Sequence, residues 1–404
     1  MQQTRSNSFV FWLFGMLYFV QGVVQAYQLN FFKPHMSSEG IDADRIAVVS
    51  SIALIPFIIK AIFGLLSDRI SLFGMGHRKP YMMVGLVGCS AAFFWAFLVD
   101  PSESFVLLAT LVVTATFAMA LFDTTADAYA VDIIPANEHS KVQSFMTGGR
   151  AAGLIILSFI FGQIALRFGF SIIFFIIGVC LLLPLLMVFR VEEPTERTEQ
   201  TEFDWTAFRV FAQPNYLMFA FTLLLAWTFF QGIDGLITFY MSNLGIDEAG
   251  LGNYGSIKGI GMVIGAVTAS FMAARFGKKS AVILTLTLVT IIGFTISFAS
   301  SLGQFLILAI VWGAVVGLHW TVYATLSMGL TDLRIAGTMF ALFQMMANIG
   351  IAAGEGIATG LSDNIGFGRV FQIFALANII VIPLIIFVIN RLAKQLESAE
   401  PALN

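Results

Sequence analysis

RVEEPTERTEQTEFDWTAFRVFAQP, residues 190–214, is the one long polar stretch in a chain of 404 residues, and it carries Glu192, Glu193, Glu196, Glu199, Glu202 and Asp204. On either side lie six apolar stretches, each near the ~20 residues a helix needs to cross hydrocarbon. They run over 8–32, 46–66, 80–99, 105–131, 142–165 and 171–189 before it, and over 215–241, 254–273, 280–300, 303–326, 337–361 and 370–390 after it. The chain therefore reads as an all-α polytopic membrane protein of twelve transmembrane helices in two six-helix bundles, with domains at 1–189 and 215–404 and residues 190–214 as their linker. Within the linker, Asp204 precedes Trp205, Phe208 and Ala212 on one helical face, which fits either a short interfacial helix or an irregular connection. The first stretch is longer than a secretory apolar region and is followed by more spans, so it reads as a helix that stays.

Composition supports the same class. Apolar residues make up 58% of the chain and charged ones 11%, against roughly 45–50% and about 25% in a soluble domain. The mean hydropathy is +0.89, more apolar surface than one water-soluble core can bury. A soluble enzyme is excluded. The formal charge is −3 with no basic block, which argues against a nucleic-acid partner. Cys89 and Cys180 lie in apolar runs, and His35, His77, His139 and His319 are too scattered to match a metal site, so no metal or cofactor is expected.

Orientation follows the basic residues. With the amino terminus inside, Arg5, Arg69, Arg78, Lys79, Lys141, Arg190, Arg197, Arg209, Arg275, Lys278, Lys279, Arg334, Arg391 and Lys394 are cytoplasmic, and only Lys33, Arg45, Arg167 and Arg369 are outside. Both termini are thus expected in the cytoplasm, the membrane being a bacterial inner membrane.

The two sides of the linker are weakly self-similar, the trace of a duplicated transporter. FVQGV (19–23) in the first span answers FFQGI (229–233) in the seventh, and SDRISLFGMGHRKP (67–80) after the second answers AARFGKKS (273–280) after the eighth. FDTTADA (122–128) lies over LHWTVYA (318–324), which sets Asp123 opposite His319.

GLLSDRISLFGMGHRKP (64–80) resembles the loop between helices two and three of the major facilitator superfamily, with extra residues after Arg69. That insertion, Lys60 and DTTADA (123–128) are similar to the branch that holds folate-biopterin transporters, muropeptide permeases and acetyl-coenzyme A transporters. The resemblance implies two rocking six-helix halves, gating by Asp68, Arg69, Arg78 and Lys79, and a polar, mostly anionic substrate. Ala274 stands where the second-half loop would carry the motif's Asp, and GGRAAG (148–153) lacks the Gly-Pro pattern of the drug antiporters.

Ionisable residues inside spans are costly and mark a pair or a pathway. Counting from the nearest loops, Lys60, Asp123 and Arg150 fall at one level, roughly 12–14 Å from the cytoplasmic surface, with Asp127 one turn nearer to it. Asp234, Lys258 and Glu355 fall roughly 8–12 Å from the outer surface. Lys60, Arg150 and Asp123, with Gln21, Gln25 and His319, are the candidate substrate-binding residues. Asp127, Asp234, Glu355 and Lys258 are the candidate proton-coupling residues. Each also has a structural reading: a packing ion pair for Lys60 and Arg150, pairing of Asp127 with Arg69, pairing of Asp234 and Glu355 with Lys258, interhelical hydrogen bonding for Gln21 and Gln25, and core packing for His319. Asp132 is expected at the interface and outside the pathway.

No GxxxxGK[ST] loop occurs, so an ion gradient, a proton gradient in this reading, is the expected drive. The expected function is secondary active symport of a small, polar, anionic organic solute by a monomer in the lipid bilayer. The alternatives are a metabolite efflux permease and a non-transporting assembly factor of the same fold, separable by flux in proteoliposomes against co-purification with a partner. A channel is disfavoured by the lack of a selectivity-filter segment.

Overall fold

The computed structural model describes residues 8–134, 138–191, 193, 209, 212–329 and 336–399, with the side chains of Asp68, Arg69, His139, Ala274 and Lys278 among those outside the description. Asp204, Trp205 and Phe208 also lie outside the described residues, and with them the interfacial helix expected in the linker. All twelve stretches are helical, and among the described residues ten helices are long and apolar enough to cross a membrane.

The two stretches outside that ten are the second and the eighth. The second span is broken into Ala43–Ile52, Ile55–Ile58 and Ala61–Arg69. Pro56 explains the first break, because it has no N–H to return to Ile52 and its ring crowds that carbonyl. The second break leaves Lys60 in a turn, where its own carbonyl caps the next helix by accepting from the Phe63 and Gly64 amides. The eighth is part of a continuous run, Glu248–Ile296, that joins the ninth through Gly277 at φ 82°.

The two sides of the linker repeat in detail. Ser8–Asn30 is followed by the seven-residue helix Phe32–Ser38, and Pro214–Asp234 by the seven-residue helix Ile237–Asn243. The fifth span, His139–Phe168, reaches the sixth, Ser171–Leu182, through Gly169 (φ 79°, ψ 170°). The eleventh, Ala336–Ile365, reaches the twelfth, which opens with Phe367–Ala377, through Gly366 (φ 83°, ψ 148°). Backbone in this region is essentially restricted to glycine.

Two compact units result. One comprises Met1–Asp42, Ile52–Thr198 and Met241–Ser256, the other Ala43–Ser51, Glu199–Tyr240 and Ile257–Asn404. Each takes a short stretch from the far side of the linker. In the first unit the Ser256 hydroxyl donates to the Ile155 carbonyl; in the second the Ser51 hydroxyl donates to the Ala352 carbonyl at 3.1 Å. Close crossings of small residues position the polar groups. A Cβ on Gly149 or Gly153 would strike the carbonyl of Gly15 or Phe19, and one on Gly350 or Gly354 that of Leu224 or Thr228. The first and fifth spans, and the seventh and eleventh, therefore meet backbone to backbone. Large apolar side chains such as Val106, Ile307 and Phe271 are exposed, as a surface solvated by lipid requires.

Candidate functional site

The first unit gathers the charges of three spans and the polar side chains of a fourth. Asp123, 6% exposed on the fourth span (Phe105–Ile133), faces Lys60 Nζ at 3.8 Å and an Arg150 guanidinium nitrogen at 3.9 Å. Gln21, on the first span, donates its amide N–H to Asp123 at 2.8 Å and accepts from Arg150 at 2.7 Å. That glutamine can bridge only because the glycine crossing brings the first and fifth spans together. Asp127, one turn along from Asp123, accepts the Tyr18 hydroxyl proton, and the Arg150 guanidinium lies over the Tyr18 ring at 4.7 Å. Tyr18, from the same helical stripe as Gln21, is the partner described for Asp127, while the pairing with Arg69 read from sequence lies outside the described residues. Gln25 is half-buried one turn from Gln21, and no side-chain hydrogen bond ties it among the described residues. The Lys60 and Arg150 side chains each keep 40% of their surface open.

The second unit holds its charges differently. Asp234 ends a helix, where its carboxylate opposes the negative end of the helix dipole. One of its oxygens accepts from Lys258 Nζ at 2.9 Å and from the Trp312 indole N–H at 2.7 Å. The Lys258 and Asp234 side chains are 3% and 7% exposed. Glu355 accepts the Gln231 amide N–H at 3.0 Å and lies against Gly235, where a Cβ would occupy its place. Gln21 and Gln231, matched in the sequence repeat, thus each reach a charged residue on the fifth span of their own half, of opposite sign in the two cases.

His319 is fully buried on the tenth span (Leu302–Gly329). It stacks on Phe230 at 4.0 Å and 8°, and meets the edge of Trp227 and the tilted ring of Tyr323, each at 4.6 Å. Phe230 in turn stacks on Trp312 at 5.7 Å, so the same ring separates His319 from the Asp234 partner. Neither ring nitrogen of His319 has a hydrogen-bond partner among the described residues. Asp123 and His319, opposed in the repeat, stand in unlike surroundings, one charged and one aromatic.

At the other end of the first unit, the loop expected to gate is tied by ions. Arg78, 3% exposed, donates to Asp132 at 2.8 Å and to Ser67 Oγ at 2.6 Å. The side chains of Asp68 and Arg69 are not described. The third span, Lys79–Phe97, has no capping side chain of its own. Its first amide, that of Lys79, and those of His77 and Arg78 before it are taken by the Glu193 carboxylate. Lys79 Nζ reciprocates by donating to the carbonyls of Phe189 (2.8 Å) and Val191 (3.1 Å), past the end of the sixth span. Carboxylate on N-terminus and ammonium on C-terminal carbonyls are the stabilising senses of the helix dipole. Sequence reading missed Glu193; the signal was a helix start at Lys79-Pro80 with no Ser, Thr, Asp or Asn beside it.

Helical spans in duplicated sixes, with charges held inside them, define an integral membrane protein with the major facilitator fold. Among solved structures the chain is similar to the nucleoside transporter NupG, with 13% identity, a TM-score of 0.74 and coverage of 95% of this chain and 98% of that one. It is also similar to a D-xylose-proton symporter, with 16% identity, a TM-score of 0.71 and coverage of 92% and 95%. The chain belongs to the BT1 family, whose profile matches residues 21–226, more than half of it, while the Major Facilitator Superfamily profile matches 233–403. It is 30% identical over 169 residues to the sialic acid transporter NanX of Escherichia coli (strain K12), covering 40% of this chain and 41% of that protein. It is 27% identical over 192 residues to the folate-biopterin transporter of a Synechocystis species, covering 46% and 37%. The matched stretches span about two fifths of those relatives.

Proposed function

We propose that the protein carries a small anionic organic solute by proton symport across a bacterial inner membrane, as a monomer with both termini and the linker in the cytoplasm. The observation that carries this reading is that Lys60 and Arg150 converge on the single carboxylate of Asp123 with 40% of each side chain still open. Two cations that share one deeply held carboxylate suit a site that receives a further negative group. Gln21 and Gln25 would supply hydrogen bonds. Asp127, Asp234, Glu355 and Lys258 are the proton-coupling candidates, and Asp68, Arg69, Arg78 and Lys79 those for gating. The relatives named for sialic acid and folate support an anionic cargo.

The test is uptake by proteoliposomes of a panel of organic anions, sialic acid and folate included, with an inward proton gradient. Arg150→Gln and Lys60→Gln should each raise KM at least ~10-fold, the loss of about one charged hydrogen bond, while the protein remains monodisperse. Uptake by both variants at the wild-type KM would remove the two cations from the site. A cysteine in the linker should be labelled only from the cytoplasmic side.

A further inference from the structure

We propose that the charges around Asp123 form a site for one proton and one anion, in which protonation of Asp127 admits the anion, so that each monoanion carried enters with one proton. This rests on the anion reading above and adds to it the carrier of the proton and the stoichiometry. Lys60, Arg150, Asp123 and Asp127 come from the second, fifth and fourth spans, and with both carboxylates ionised they sum to zero. Such a site offers an anion no net attraction. One proton on a carboxylate leaves a single positive charge, which one anion then cancels. The empty, deprotonated state and the state loaded with proton and monoanion are both neutral, whereas proton alone or anion alone leaves an uncompensated charge within the membrane. Monoanion carriage is therefore electroneutral.

The geometry distinguishes the two carboxylates. Asp123 faces the Gln21 amide N–H at 2.8 Å and the Lys60 and Arg150 cations at 3.8 and 3.9 Å. All three are donors only, and a protonated Asp123 would turn its O–H toward them. Asp127 is bonded to the Tyr18 hydroxyl. A phenol donates to a carboxylate and equally accepts from a carboxylic acid, so Asp127 keeps its partner in either state. Among the described residues, the groups that act on Asp127 are Tyr18 of the first span, bonded to it, Asp123 on its own span, Lys60 on the second and Arg150 on the fifth. Asp234, already held by Lys258 and the Trp312 N–H, resembles Asp123 in having donors alone and is left out of the proton path.

The experiment needs no substrate. A cysteine replaces half-buried Gln25 in full-length protein carrying Cys180→Ser, and its modification by sulfonatoethyl methanethiosulfonate, an anion, is compared with that by neutral methyl methanethiosulfonate. The ratio of the two rates cancels the thiol's own titration and reads the local potential. It should fall about three-fold or more as pH rises from about 5 to about 8, as the positive charge is lost. In Asp127→Asn it should be high and flat. In Tyr18→Phe, which deprives the ionised carboxylate of its donor, the fall should move to higher pH. A flat ratio in the parent protein, or a persisting fall in Asp127→Asn, overturns the proposal. If Lys60→Gln and Arg150→Gln leave the ratio unchanged at low pH, the anion reading itself fails. If the neutral reagent does not modify the cysteine, that face is closed to solutes and both fall.

Discussion

Asp123 and Asp234 are each a buried carboxylate facing cations, yet their surroundings differ. Asp123 faces Lys60 and Arg150, whose side chains are 40% open and stand nearly 4 Å away. Asp234 is bonded at 2.9 Å to a Lys258 that is 3% exposed. The first arrangement is loose, half-open and shared among four spans. The second is short, dry and closed by an indole. A buried pair loses heavily when one partner is removed, because the other charge stays stranded, whereas a half-exposed pair rearranges in water. The cluster of the first unit is thus the more open of the two and the pair of the second the more closed.

The largest effect that tests this contrast is Asp234→Asn, which takes the opposing charge from buried Lys258 and should cost about 3–5 kcal/mol, seen as loss of monodisperse protein in detergent. Asp123→Asn should leave a monodisperse protein with altered transport. Equal losses in the two variants would end the distinction between the clusters. Next in size, Gly169→Ala and Gly366→Ala should each cost about 1–3 kcal/mol. Both positions have open space around the missing Cβ, so the cost is conformational alone. Similar drops in melting temperature would sharpen the repeat; a drop in only one would mark where the halves part. The smallest effect is that of Glu193→Ala, which uncovers the amides at the start of the third span and should cost about 1 kcal/mol. Glu193→Asp, one methylene shorter, should recover only part of it. An unchanged melting temperature in Glu193→Ala would make the reciprocal cap ornamental.

The common level of Lys60, Asp123 and Arg150 was legible, because a regular rise per residue turns distance from a loop into depth. The bond from Tyr18 to Asp127 was not, since it depends on the rotation of the first span against the fourth. His319 was legible as a residue opposite Asp123, but its surroundings were not. A stack on Phe230 and an edge from Trp227 arise from the close crossing of other helices, and one residue in the repeat says nothing of its neighbours. Glu193 was visible only as linker acidity. Its role depends on the ends of the third and sixth spans lying side by side.

By itself the sequence determined what the solvent must be, how many times the chain turns back, and which ionisable groups lie within the spans, because hydrocarbon penalises every polar group and so leaves a regular pattern of length and charge. The tertiary structure decided which charge meets which, at what distance and how dry. Those depend on side chains from several spans at once, through crossings set by glycines at backbone contact. That is why two clusters of similar composition became one open site and one closed pair.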